Sequence, residues 1–135
     1  MREYARQQTA ILLRRLAFEV NRVARAGAGD ADAVHDLRVA IRRLSRCLGA
    51  FAPVYPGHSW KRVRRSLRAL MESAAEVRDR DIAMGLLRDA GAAGGAAPLR
   101  LLTRQREDAA RRLAADLHHW RNHSLSRKWR EELGL

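Results

Sequence analysis

The chain has 135 residues, 47% of them hydrophobic and 31% charged, enough for one domain with a real core. Lys and Arg total 27 against 15 Asp and Glu, a net charge of +12, which favours anionic partners: nucleic acid, an acidic membrane surface or another polyphosphate. A single cysteine, Cys47, excludes an internal disulfide, and no run approaches the roughly 20 apolar residues of a membrane span.

The N-terminal MREYARQQTA lacks the apolar core of a secretory signal, so a cytoplasmic protein is expected. Only Lys61 and Lys128 are lysines. Arginine offers a planar fork that grips phosphate oxygens with paired hydrogen bonds. Strand signals are absent and helical periodicity is continuous.

A first helix is expected over 2–26, with Leu12, Leu16, Val20 and Val23 as its apolar stripe, ended by AGAGD. A second is expected over 33–51, with Asp32 as its N-cap and Val34, Leu37, Ile41, Leu44, Leu48 and Phe51 inward. Pro53 and Pro56-Gly57 enforce a turn. A third begins near Ser59, an N-cap candidate, with the stripe Trp60, Val63, Leu67, Leu70, Ala74 and Val77. A kink or restart is expected at EVRDRD, 76–81, before helix resumes over Ile82–Leu87. GAAGG, 91–95, breaks the chain, and Pro98 suits the first turn of a fourth helix over 98–121. That helix turns Leu102, Ala109, Leu113, Leu117 and Trp120 inward, and Leu125, Trp129 and Leu133 suggest a short helix in the tail, 122–135. The expected fold is all-α: a four-helix up-down bundle over 1–121 with a short C-terminal helical tail.

On the second helix His35, Arg38, Arg42 and Arg46 share a sector roughly 80° wide, beside the apolar stripe. Residues in such a row recur every ~4.5–6 Å, a ladder suited to a linear anion. Lys61, Arg64, Arg65 and Arg68 repeat the arrangement on the third helix, and Arg100, Arg104, Arg111 and His118 on the fourth. Like charges so spaced destabilise an isolated helix by a few tenths of a kcal/mol per pair, which a bound counter-charge would offset. A bound anion would favour protonated His35, so binding is expected to strengthen at mildly acidic pH.

His118, His119 and His123 lack partner cysteines or well-spaced carboxylates, so no metal site is expected. Glu76, Asp79 and Asp81 alternate with Arg78 and Arg80; Asp79 and Asp81 are expected to orient arginines at the rim of the basic surface. No Walker-type loop, GxSxG or HExxH is present.

VHDLRVAIRRL (34–44) followed by VRDRDI (77–82) resembles the CHAD family, the conserved histidine α-helical domain. His35, Leu37, Arg38, Val39, Arg42, Arg43 and Leu44 match its first motif, and Arg78, Asp79 and Asp81 its second. Ser45, Gly49 and Ala74-Ala75 depart from it. The resemblance implies non-enzymatic binding of inorganic polyphosphate by histidine and basic residues, without a cofactor, and an association with polyphosphate granules. The expected row is His35, Arg38, Arg42, Arg43 and Arg46, flanked by Lys61, Arg64, Arg65, Arg68 and Arg78, with Arg104, Arg111 and His118 from the fourth helix.

A typical CHAD domain is about twice as long, with two pseudo-symmetric bundles, and this chain resembles only the first. A C₂ homodimer would recreate the pair, with Trp120 and Trp129 as candidate anchors, although Trp120 also suits the core. Nucleic acid is the alternative polyanion, but the basic rows carry almost no aromatic residues for stacking bases. A metal-dependent phosphohydrolase built on Glu76, Asp79 and Asp81 is a third reading, and a structural adaptor for an acidic protein a fourth. Arg38→Glu with Arg42→Glu is expected to abolish binding but keep the helices, since both lie off the apolar stripe.

Overall fold

Helix α1 (Arg2–Ala26) opens a chain whose 135 residues are all described by a computed structural model. It buries Ala5, Thr9, Leu13, Leu16, Val20 and Val23. The expected stripe ran through Leu12, which is only half-buried. Small and polar residues, Ala5 and Thr9, occupy the first turns of the true stripe and hide it from a hydropathy reading. Gly27, with φ 84, ends the helix, and its N–H donates to the Val23 carbonyl.

Helix α2 (Ala31–Ala50) is capped by Asp30, whose carboxylate accepts from the Ala33 N–H at 3.1 Å. The expected cap, Asp32, lies inside the first turn, where its charge faces the positive end of the helix dipole. Val34, Leu37, Ile41, Leu44 and Leu48 are buried as the periodicity requires, and Phe51 is half-buried. A 3-10 turn, Ala52–Val54, carries the chain to Tyr55. The Tyr55 hydroxyl bonds to the Thr9 hydroxyl and donates to the Ala5 carbonyl at 3.3 Å, fastening the turn to α1. Burial pushes its phenol up from the ordinary 10.0, against the opposing Thr9 hydrogen bond.

Helix α3 (Ser59–Asp89) runs 31 residues without the expected break at EVRDRD. Ala74, Val77 and Met84 keep its buried side apolar through that stretch, and no proline interrupts it. Ser59 is its first residue and makes no capping bond. Helix α4 (Ala97–Asn122) starts with Pro98 in its first turn and buries Leu99, Ala109, Leu113, Leu117 and Trp120. Helix α5 (Leu125–Leu133) forms the tail.

Consecutive helices pack side by side, α1 on α2, α2 on α3 and α3 on α4, with α4 also touching α1. The fold is an all-α helical bundle without strands. Helix α5 packs on α1, α3 and α4, and its Trp129 and Leu133 join the same core. The Trp129 ring meets Trp120 edge-on with centroids 4.5 Å apart. Both tryptophans are at most 5% exposed, so the suggestion that they anchor a dimer is corrected: the monomer's own core consumes them. No helix is long and apolar enough to cross a membrane.

Candidate anion-binding groove

Burying the apolar stripe of α2 fixes the direction of everything else on that helix. His35, Arg42 and Arg46 stand exposed along its outer crest. Antiparallel packing sets the next helix beside this crest. A groove results, lined by Ile41, Arg42, Ser45 and Arg46 from α2 and by Arg64, Leu67, Arg68 and Met71 from α3. Its floor is aliphatic and its walls carry four guanidinium groups.

No carboxylate lines this groove, and none of the four arginines is ion-paired within the chain. The acids are engaged elsewhere: Glu19 with Arg15 and Arg22, Asp36 with Arg22, Asp81 with Arg106, Asp108 with Arg111 and Glu76 with Arg112. The four guanidinium groups of the α2–α3 groove therefore keep their charge uncompensated by any ion pair within the chain.

Two further details mark the groove. The Arg64 Nε lies 3.4 Å from the Ser45 hydroxyl, so this side chain reaches across from α3 to α2. Arg38, one turn before Arg42, is half-buried, and its Nε is closed off from solvent without a hydrogen-bond partner. It is not the freely solvated side chain expected from its place off the apolar stripe.

The other expected residues fall around this groove in different ways. Lys61 and Arg65 are exposed on the outward side of α3, where the Lys61 Nζ sits 5.7 Å from the centre of the Trp60 ring. Arg78 is half-buried further along α3 and does not line the groove. His35 and Arg43 line a second groove, between α2 and α1, together with Arg15 and Asp36. Charge there is largely balanced. Asp36 pairs with Arg22, and that hydrogen bond raises the Arg22 guanidinium above its ordinary value. Arg15 pairs at 3.0 Å with Glu19, a fully buried carboxylate whose ionic contacts do not reach hydrogen-bond geometry.

Arg104, Arg111 and His118 are not brought to the α2–α3 groove. Arg104 is exposed, and Arg111 pairs with Asp108 on its own helix. His118 lines a groove between α4 and α1 and contacts the Asn122 amide at 2.8 Å. Helix α4 packs on the other flank of α3, where Arg112 reaches Glu76 at 2.6 Å, so its outer row faces another direction.

The two expected rim carboxylates also part company. Asp79 is exposed and unpaired, whereas Asp81 binds Arg106 through both oxygens. Arg106 donates as well to the Ala28 and Gly29 carbonyls, each at 3.3 Å, tying the α1–α2 loop to α3 and α4. The sequence held a signal for this residue. Leu102, Arg106, Ala109 and Leu113 continue one apolar line of α4, and a cation on such a line needs a buried partner. Arg106→Ala should cost about 2 kcal/mol, lowering the thermal midpoint without changing anion affinity, because it leaves Asp81 and two loop carbonyls unsatisfied away from the groove.

No three His, Cys, Asp or Glu side chains converge in a way that could hold a metal ion. His119 and His123 stack on each other, 4.0 Å between ring centres. Comparison with curated proteins and with solved structures finds no match. The family model for the CHAD domain matches residues 8–134, reaching from α1 through α5 and including both helices that wall the groove; the chain belongs to the CHAD domain family.

Proposed function

We propose that the protein binds inorganic polyphosphate in the α2–α3 groove, without catalysis. The observation that carries this reading is the set of four arginines, Arg42, Arg46, Arg64 and Arg68, sharing one groove with no carboxylate partner. Unpaired guanidinium groups at helical spacing give a linear polyanion successive forked donors, and family membership points to the same ligand. His35 and Arg38 extend the row toward the start of α2, with Arg43 beside it, and Lys61, Arg65 and Arg78 add to the surrounding positive field. Cytoplasmic polyphosphate, including its granules, is the expected source.

Nucleic acid fits the groove less well. Its lining has no aromatic side chain to stack a base and no Asn or Gln to read one. A phosphohydrolase centre on α3 fits poorly too. Glu76 is drawn to Arg112, Asp81 to Arg106, and Asp79 points to solvent, so the three carboxylates do not share a site.

Titration with polyphosphates of increasing chain length, in competition with duplex DNA at matched phosphate concentration and salt, tests the reading. Long polyphosphate should displace the DNA; DNA prevailing would reverse the assignment. Four neutralised phosphates predict a log–log slope of affinity against salt of about −3, taking the single-strand coefficient. Molecular mass followed in the same titration tests the homodimer.

A further inference from the structure

Helix α2 carries a glycine in its last turns, Gly49, at an α-helical position where no positive φ requires one. Helix propensity alone would favour alanine there. A Cβ on Gly49 would stand 3.2 Å from the Arg64 Nη1, 3.3 Å from its Cζ and 3.4 Å from its Nη2. The whole guanidinium plane therefore lies against the bare backbone of α2, while its Nε faces the Ser45 hydroxyl at 3.4 Å. Ser45 and Gly49 are one turn apart, and together they form a shallow seat spanned by a single side chain from the neighbouring helix.

We propose that Gly49 and Ser45 are positioning residues that hold Arg64 against α2, in line with Arg42 and Arg46, before the anion arrives. This rests on the α2–α3 groove being the polyphosphate site. A long arginine left free would have to give up rotamer freedom on binding. One already laid across Gly49 surrenders less, and its fork stays in register with the α2 row. The seat also turns two small residues of α2 into a basic position: the cation is supplied from α3. Because the atoms nearest the missing Cβ are the flexible end of Arg64, alanine would displace the guanidinium and leave the helices in place.

The test compares wild type, Gly49→Ala, Arg64→Gln and the double variant for affinity to long-chain polyphosphate and for thermal midpoint. Gly49→Ala should weaken binding roughly five- to tenfold, about the net contribution of one ordinary hydrogen bond, since the guanidinium is shifted but not removed. Its thermal midpoint should equal or exceed that of wild type. In the Arg64→Gln background the glycine exchange should change affinity no further. Ser45→Ala should give a smaller loss with the same dependence on Arg64. Undiminished affinity in Gly49→Ala, beside a clear loss in Arg64→Gln, would overturn the seat while leaving the groove standing. An equal loss from Gly49→Ala with and without Arg64 would overturn it as well. If Arg64→Gln and the exchange of Arg42 and Arg46 all bind like wild type, the groove itself is refuted.

Discussion

Exchange of Arg42 and Arg46 for glutamate should eliminate measurable polyphosphate binding while the helical signal stays at the wild-type level. Both side chains are exposed, both line the α2–α3 groove, and they stand one turn apart on its wall. A hydrogen bond to a charged group contributes about 1.5–3 kcal/mol. Losing two removes about 3–6 kcal/mol, a factor of roughly a hundred to ten thousand in affinity. Two carboxylates facing the remaining Arg64 and Arg68 add repulsion against the ligand and neutralise the cations that are left. The same exchange at Arg104 and Arg111 alters net charge equally but on α4, away from the groove, and should weaken binding far less. Equal losses from the two pairs would mean that the overall field binds the polymer, without a defined site. Isothermal titration at two salt concentrations, with circular dichroism on each variant, decides between them. Arg38 is the wrong partner for this experiment. Its Nε is shut away from solvent, so a glutamate there would mix a folding defect with a binding defect.

The contrast between Arg38 and Arg46 shows where sequence periodicity stops being informative. The apolar stripe of α2 is built of large aliphatic residues at clean helical steps, so its outer row could be assigned by angle alone. Angle does not say which flank of that row meets a neighbour. Arg38 is half-buried with its Nε closed off from solvent, whereas Arg46 is exposed, and Arg43 falls on the α1 side beside Asp36. On α3 the row divides again. Arg64 and Arg68 turn toward α2, whereas Lys61 and Arg65, equally basic and equally spaced, turn outward.

Helix α4 carries the same lesson further. Its row Arg104, Arg111 and His118 has the right composition but faces another part of the bundle, a property of packing order that no single helix encodes. Asp81 was readable as an arginine partner, yet the partner proved to be Arg106, 25 positions along the chain. The seat for Arg64 was illegible for a different reason. Ser45 and Gly49 look like interruptions in a basic row until the neighbouring helix supplies the guanidinium that fills them.

Trp129→Ala should be the most damaging single exchange for stability. The ring is 4% exposed, rests edge-on against Trp120, and anchors a helix of only nine residues. Truncating a buried tryptophan to alanine costs about 3–5 kcal/mol, a large share of the roughly 5–15 kcal/mol that holds a domain of this kind together. A nine-residue helix does not persist in water without such an anchor, so Leu133 should leave the core with it. For a chain of this length the thermal midpoint should fall by roughly 10–20 °C. Ending the chain at Ser124 should reproduce most of that loss, because the exchange and the deletion undo the same contacts. The effect on binding should be indirect. Helix α5 and Trp120 meet α3 at Ser66, Ala69 and Leu70, on the flank opposite the one that presents Arg64 and Arg68 to α2. Well below its midpoint the variant should therefore keep its affinity, and saturating polyphosphate should raise that midpoint by mass action, since the ligand binds only the folded groove. A shift of only a degree or two in differential scanning calorimetry would mean that the bundle closes without α5. A loss of affinity at temperatures where the variant is fully folded would mean that α5 braces the arginine wall of α3 from behind.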